Sequence, residues 1–295
     1  MTSNKMFEPQ IRRLLSPMRP IPTNHPFKLV KLKGIKAVIL DVYGTMLVSA
    51  AGDVGPDEAE NSEEAFRAAL IDSGLKIHPP QMRDGIMILQ DEISLSHQKS
   101  REKGVDYPEI DIMNIWKRVI ARLSGGSVTP SLKVLRYLAL DYECRVNPVW
   151  PMPELVPTLE NLQKRKIKLG IISNAQFFTE LIFCAVCGRD LRRLGFSKDI
   201  CCWSFQQGRG KPSPMLFQLI KHRLIDAYAI RPHQTLYVGN DMLKDIQPAA
   251  AAGWKTALFA GDRRSLKLRE NDERCRSTVP DLVIDSLGQL CSQLP

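Results

Sequence analysis

No apolar stretch in this 295-residue sequence approaches the roughly 20 residues needed to cross a bilayer, and no signal-peptide core follows the first methionine. The expected location is therefore the cytoplasm, with no membrane partner. Cysteine is scarce and scattered: seven residues, an odd number, argue for reduced thiols over a disulfide framework. Cys184-Ala-Val-Cys187 has the spacing of a redox or zinc pair and Cys201-Cys202 follows it, but no histidine stands nearby and the context is apolar. These are read as buried structural thiols. Acidic residues are nearly missing from positions 1–34, where Glu8 faces Lys5, Arg12, Arg13, Arg19, Lys28, Lys31 and Lys33. No aromatic or glycine interleaving accompanies that charge, so the net +9 reads as a solvated basic extension, not a nucleic-acid arm or a transit peptide. Prolines at 9, 18, 20, 22 and 26 limit any helix near Ile11–Leu15 to a short one.

What is present points to a globular protein with room for about two domains. The organising stretch runs from Lys36 to Val48: a β-branched apolar run, then Asp41, Tyr43, Gly44 and Thr45. An apolar run without alternation is a strand buried on both faces, as in parallel sheets. Such sheets bind ligands at their carboxyl ends, where Asp41 would stand. Gly44 permits a sharp turn and Thr45 offers a hydroxyl. A loop rich in glycine and proline, Ser49 to Pro56, follows beside the expected crevice and reads as a gate.

From there to about Pro148 the apolar residues recur at helical spacing. Glu63–Ser73, with Asn61 or Ser62 as cap and Gly74 as stop, is a first helix; Pro80, Pro108 and Pro130 each open another. Strand and helix then alternate: Pro157–Arg165 helical, Ile167–Ile172 extended, Phe177–Cys187 helical, Ile200–Phe205 extended, Met215–Leu224 helical. Thr235–Gly239 is a strand, a helix runs through Ala252, Thr256–Phe259 and Val283-Ile284 are extended, and a last helix starts at Ser286. The expected fold is α/β, a Rossmann-like parallel-sheet core of residues 35–50 and 149–295 with an inserted helical cap at 51–148.

Four strand ends carry polar groups: Asp41 with Thr45, Ser173 with Asn174, Lys211, and Asp241 with Asp245. Each is ordinary alone, as turn, surface lysine or helix cap, but in one parallel sheet they meet at one edge. Asp241 and Asp245 at i and i+4 would join Asp41 in a hard oxygen cage suited to Mg²⁺. Lys211 would offset the negative charge and hold an anionic substrate, with Thr45 and Ser173 binding its oxygens. An ionised aspartate beside a divalent metal is a competent nucleophile toward phosphorus. Outside this set, His97, Lys99 and Arg101 could contact an anionic small-molecule substrate, although a solvated helix face accounts for the same residues. His78, His222 and His233 are read as structural.

In these four segments, Asp41-Val-Tyr43-Gly44-Thr45, Ile172-Ser173-Asn174-Ala175, Lys211-Pro-Ser-Pro214 and Gly239-Asn240-Asp241-Met-Leu-Lys-Asp245, the chain resembles the haloacid dehalogenase-like hydrolase superfamily over about residues 35–295. The resemblance implies that Asp41 is the nucleophile, Thr45 and Ser173 position the transferring group, Asn174 lies nearby and Lys211 balances charge. It also implies that Asp241, Asp245, Asp41 and the Tyr43 carbonyl hold Mg²⁺, and that the helical insertion is a C1 cap. Tyr43 departs from the pattern: phosphatases of the superfamily usually carry there an aspartate that protonates the leaving alcohol. Tyrosine, with a reference pKa near 10, is a poor shuttle at neutral pH. Dehalogenases of the superfamily carry an aromatic residue at this place and use no metal. The acidic pair weighs toward a Mg²⁺-dependent phosphatase of a small phosphorylated metabolite, with Asp53, Asp57, Glu58 or a cap histidine as substitute donor. A metal-free 2-haloacid dehalogenase and a catalytically impaired binding protein are the alternatives.

Overall fold

The structure is a computed structural model that describes residues 5–51, 62–78 and 82–295. The apolar run forms β1 (Ala37–Leu40), whose four residues are all buried. Alternate side chains of a strand point to opposite faces. Ala37 and Ile39 pack into one core layer while Val38 and Leu40 pack into another. Both faces of β1 are therefore covered, and no polar alternation is possible. A short β2 (Leu47–Ser49) pairs antiparallel with β3 (Val149–Pro151), joining the two places where the chain leaves and re-enters the core. The remaining strands are β4 (Lys168–Ser173), β5 (Phe196–Trp203), β6 (Thr235–Gly239), β7 (Lys255–Phe259) and β8 (Leu282–Ile284). With β1 they form one parallel sheet in the order β5-β4-β1-β6-β7-β8. The core is thus a Rossmann-like α/β fold, as expected.

The helices are α1 (Glu8–Leu14), α2 (Ser62–Asp72), α3 (Gly85–Glu102), α4 (Ile112–Leu123), α5 (Leu132–Val146), α6 (Leu155–Lys164) and α7 (Phe177–Cys187), then α8 (Ser204–Gln207), α9 (Pro214–Tyr228), α10 (Gln247–Ala251) and α11 (Gln289–Gln293). Helices α2 to α5 form one layer, centred on Phe66, Trp116 and Tyr142, whose rings lie 5.3 to 6.1 Å apart. The expected openings of that layer need revision. Pro80 and the Asn61 cap lie outside the described residues. Pro108 does not open α4, because Asp111 does: its Oδ1 accepts from the amides of Met113 and Asn114 at 3.0 and 3.2 Å. Residues 107–110 instead pair with the core loop after a bend at Tyr107, the Gly210 amide donating to the Tyr107 carbonyl and the Glu109 amide to that of Gly208. The strand expected at Ile200–Phe205 starts earlier, at Phe196, and gives way at Ser204 to α8.

Residues 1–34 were expected as a solvated extension; positions 16–34 are exposed or half-buried, but one side of the helix before them is not. Phe7, Ile11 and Leu15 are buried at i, i+4 and i+8, and α1 packs between α5 and α7. Pro9 falls in the first turn of α1, where its missing donor costs nothing. Further along, Lys28 pairs with Val283 beside β8, and the Leu32 amide donates to the Gln293 carbonyl. All seven cysteines are unpaired; Cys201 and Cys202 are buried as expected, Cys184 and Cys187 only half-buried, and burial pushes Cys184, Cys187 and Cys201 up to about 12.

Candidate active site

Asp41 continues the β1 ladder by one residue, its amide donating to the Val238 carbonyl at 3.0 Å. The central position of β1, between β4 and β6, brings the other strand ends to it. Lys211, delivered by the loop before α9, donates to Asp41 Oδ1 at 2.8 Å and to Asp245 Oδ1 at 2.5 Å. Tyr237 on β6 supports the pair, its hydroxyl 3.0 Å from both Asp245 Oδ1 and the Ile172 carbonyl. Burial alone would lower the Lys211 pKa, but Asp245 and Asp41 outweigh it and hold the ammonium protonated. Burial and then the Asp41 charge push the Asp245 carboxyl above the ordinary range, against the pull of Lys211. One cation between two buried carboxylates leaves one negative charge over, which explains both directions.

The segment after β6 is a π-type turn, Met242–Ile246, and not a regular helix. Its two aspartates face different partners. Asp245 folds back so that its Oδ2 accepts from the Asp241 amide at 3.0 Å. Gly239 makes room for that fold, since a Cβ there would stand 2.4 Å from the Asp245 carboxyl carbon. Asp241 caps the turn through the amides of Leu243 and Lys244 and receives Arg269 on both oxygens, the shortest contact being 2.6 Å. Burial opposes ionisation of Asp241, but Arg269 and those amides hold it below the ordinary range.

Tyr43 is buried and its hydroxyl lies 3.0 Å from Thr179 Oγ1. Burial, with Glu143 nearby, pushes this phenol well above its usual pKa, so its hydroxyl stays protonated. Thr45 is fully buried and donates to Asn240 Oδ1 at 2.9 Å, while Asn240 Nδ2 donates to the Ser265 carbonyl at 2.7 Å. Gly44, at φ +76°, packs so tightly that a Cβ would stand 2.5 Å from that of Ser265. Asn174 shapes the lysine loop, its Oδ1 accepting from the Lys211 amide at 2.6 Å, and Ser173 Oγ donates to the Asn174 carbonyl.

One cavity gathers most of the expected residues: Asp41, Tyr43, Ser173, Asn174, Lys211 and Asp245 line it, with Asn240, Asp241, Lys244 and Lys267. It leaves about 20 Å³ open to the centre of a water molecule, room for a water-sized guest and little more. Thr45, His97 and Arg101 do not line it: the Thr45 hydroxyl is held by Asn240, and the other two lie on α3. Asp53, Asp57 and Glu58 lie outside the described residues. Tyr237, Asn240, Lys267 and Arg269 were missed. The available signal was the polar run Arg263-Arg264-Ser265-Leu-Lys267-Leu-Arg269 soon after an apolar strand, a fifth strand end.

For a hard cation the donors fit in kind: Asp41, Asp245 and the Tyr43 carbonyl are oxygens of the sort Mg²⁺ takes. Asp241 fits in chemistry but is turned to Arg269. Among the described residues no three histidine, cysteine, aspartate or glutamate side chains converge as a closed metal cluster.

Comparison with known proteins gives this geometry a context. The sequence model of a family described as haloacid dehalogenase-like hydrolase matches residues 35–253. A glyceraldehyde 3-phosphate phosphatase of Methanopyrus kandleri is 26% identical over 262 residues, 87% of this chain and 95% of that protein. A ribulose-1,5-bisphosphate 5-phosphatase of Halopiger xanaduensis is 30% identical over 141 residues, 47% of this chain and 54% of the relative. Among solved structures, a 2-haloacid dehalogenase from Pseudomonas syringae superposes with a TM-score of 0.55 at 24% identity, covering 88% of this chain and 97% of that one, which establishes likeness of fold alone.

Proposed function

The chain belongs to the haloacid dehalogenase-like hydrolases, and from that premise we propose that it is a phosphatase of small phosphorylated metabolites, sugar phosphates foremost, with Asp41 as nucleophile. The observation that carries the reading is Asp41 itself: one carboxylate oxygen is fixed by Lys211 at 2.8 Å, and the other accepts from no protein donor among the described residues. That oxygen attacks phosphorus in line, the phosphorus–oxygen ester bond breaks, and the alcohol departs with a proton from solvent or substrate. Water then cleaves the aspartyl phosphate. Lys211 and Ser173 hold phosphoryl oxygens, and Asn174 keeps the lysine loop in place. Mg²⁺, held by Asp41, the Tyr43 carbonyl and Asp245, would supply positive charge at the phosphoryl group. Asp241 could join that set only by releasing Arg269. The two named phosphatases support this reading, the first over nearly its whole length.

Tyr43, tied to Thr179, leaves the leaving-group proton to another source, so esters of acidic alcohols should turn over faster than alkyl esters. Helices α2 to α5 act in this reading as a cap, with β2 and β3 as its hinge. The seven unpaired thiols suit a reducing, cytoplasmic setting. The test is phosphate release from aryl, triose and pentose phosphates, beside halide release from 2-haloacids, each with Mg²⁺ and with EDTA. Phosphate release should need Mg²⁺ and fall by roughly a thousandfold or more in Asp41→Asn. Metal-free halide release, or phosphate release indifferent to Asp41, would overturn it.

A further inference from the structure

Most cations at the cavity already face a carboxylate. Lys211 lies between Asp41 and Asp245, Arg269 is bound to Asp241, and Lys244 stands in the field of the buried Glu109. Lys267 lines the same cavity, is exposed, and has no side-chain partner among the described residues. Its backbone is fixed, unlike that of an ordinary surface lysine. The Lys267 amide donates to the Asn240 carbonyl at 3.0 Å and its carbonyl accepts from the Met242 amide at 2.9 Å. Two residues before it, Ser265 is fully buried, its Oγ 3.3 Å from the Gly44 carbonyl. Two residues after it, Arg269 grips Asp241. Ser265 in its turn, Lys267 in a bridge to Asp241, and Arg269 at φ +54° thus all lie beside the strand-end motifs.

We propose that Lys267 reads a second anionic group of the substrate, a phosphate or a carboxylate, besides the phosphoryl group presented to Asp41. The preferred substrates are then doubly anionic: sugar bisphosphates or phosphorylated acids. This deepens the phosphatase reading and rests on it. An ammonium beside an anion is a charge-assisted contact of the stronger kind, and the held backbone keeps this one at the cavity wall.

The test compares kcat/KM within two pairs, fructose 1,6-bisphosphate against fructose 6-phosphate and 3-phosphoglycerate against glycerol 3-phosphate, which separates phosphate from carboxylate as the second group. Wild-type protein should prefer the doubly anionic member of at least one pair by roughly tenfold or more. Lys267→Ala should cut that ratio by about tenfold to a hundredfold, mostly through KM, and Lys267→Arg should restore it. A wild-type ratio near one in both pairs, or a ratio indifferent to Lys267→Ala, would overturn the assignment. Calorimetric titration of the Asp41→Asn protein with the same compounds gives a readout independent of turnover. Lys267-dependent binding without phosphate release from any ester by the wild type would break the phosphatase reading and keep the anion site. Release without preference would do the reverse.

Discussion

Two buried acids, one at the sheet edge and one in the helical layer, are both raised by burial but are given different partners. Asp245 keeps company with a charge: Lys211 at 2.5 Å, the Tyr237 hydroxyl and a backbone amide. Glu143 on α5 has an amide for its partner: Asn147 donates to it through Nδ2 at 3.2 Å and accepts from Ser49 Oγ through Oδ1 at 2.7 Å. Burial pushes Glu143 up to about 7, with Tyr43, Tyr142 and Cys144 facing it and no cation to offset it. The sheet edge sets a cation beside its buried acid, which stability alone does not call for, and burial with Asp41 still holds that acid above the ordinary range. The helical layer lets its acid become neutral and uses it to tie α5 to β2.

The comparison breaks most visibly at Lys211. Lys211→Met leaves Asp41 and Asp245 facing each other without their cation, and should cost about 3 to 5 kcal/mol in urea denaturation with EDTA present. A loss under about 1 kcal/mol would mean the two carboxylates are not jointly ionised.

Glu143→Gln probes the other side. The folded carboxyl titrates near 7 against an ordinary value of 4.5, so its favourable neutral form is fully present below pH 4.5 and is lost as pH rises through 7. The glutamine variant should match wild type at pH 4 and exceed it by up to about 3 kcal/mol at pH 8. A constant difference across that range would place the charged carboxylate in the folded state.

The junction between the two regions gives the smallest effect. Glu109 accepts from Ser204 Oγ at 2.5 Å and from Gln176 Nε2 at 3.0 Å, latching the 107–110 segment to the core. Glu109→Ala should cost about 1 to 3 kcal/mol and expose this segment to limited proteolysis. Unchanged cleavage would show that the backbone pairing with residues 208–210 suffices.

The core strands were legible because burial on both faces writes itself as an unbroken apolar run; β6 and α7 fell on their expected residues. Ribbon β2–β3 was not, since three-residue strands that pair across about a hundred positions carry no local period. Helix α1 is as short as the prolines allow, but its burial was not read, because charges outweighed the Phe7, Ile11 and Leu15 spacing. At the site, Asp41, Ser173, Asn174, Lys211 and Asp245 were readable as strand-end polar residues. What was not readable is direction. Nothing in the sequence says that Tyr43 turns its hydroxyl to Thr179, that Thr45 serves Asn240, or that Asp241 faces Arg269. The 265–269 wall left only a polar run after an apolar strand as its trace, and its place at the site shows once its backbone lies against Asn240 and Met242.

Arg136 of α5 lies over the ring of Phe7 at 5.4 Å and that of Phe177 at 5.0 Å. One guanidinium thereby joins the amino-terminal segment, the helical layer and the first turn after the Ser173 strand. Any substrate entry that moves α5 away from α7 unstacks this sandwich. At about 1 kcal/mol for such a contact, each opening would be slowed roughly fivefold. The amino-terminal turn would then act as a brake on substrate entry and product escape, setting the tempo of a reaction whose chemistry it never touches.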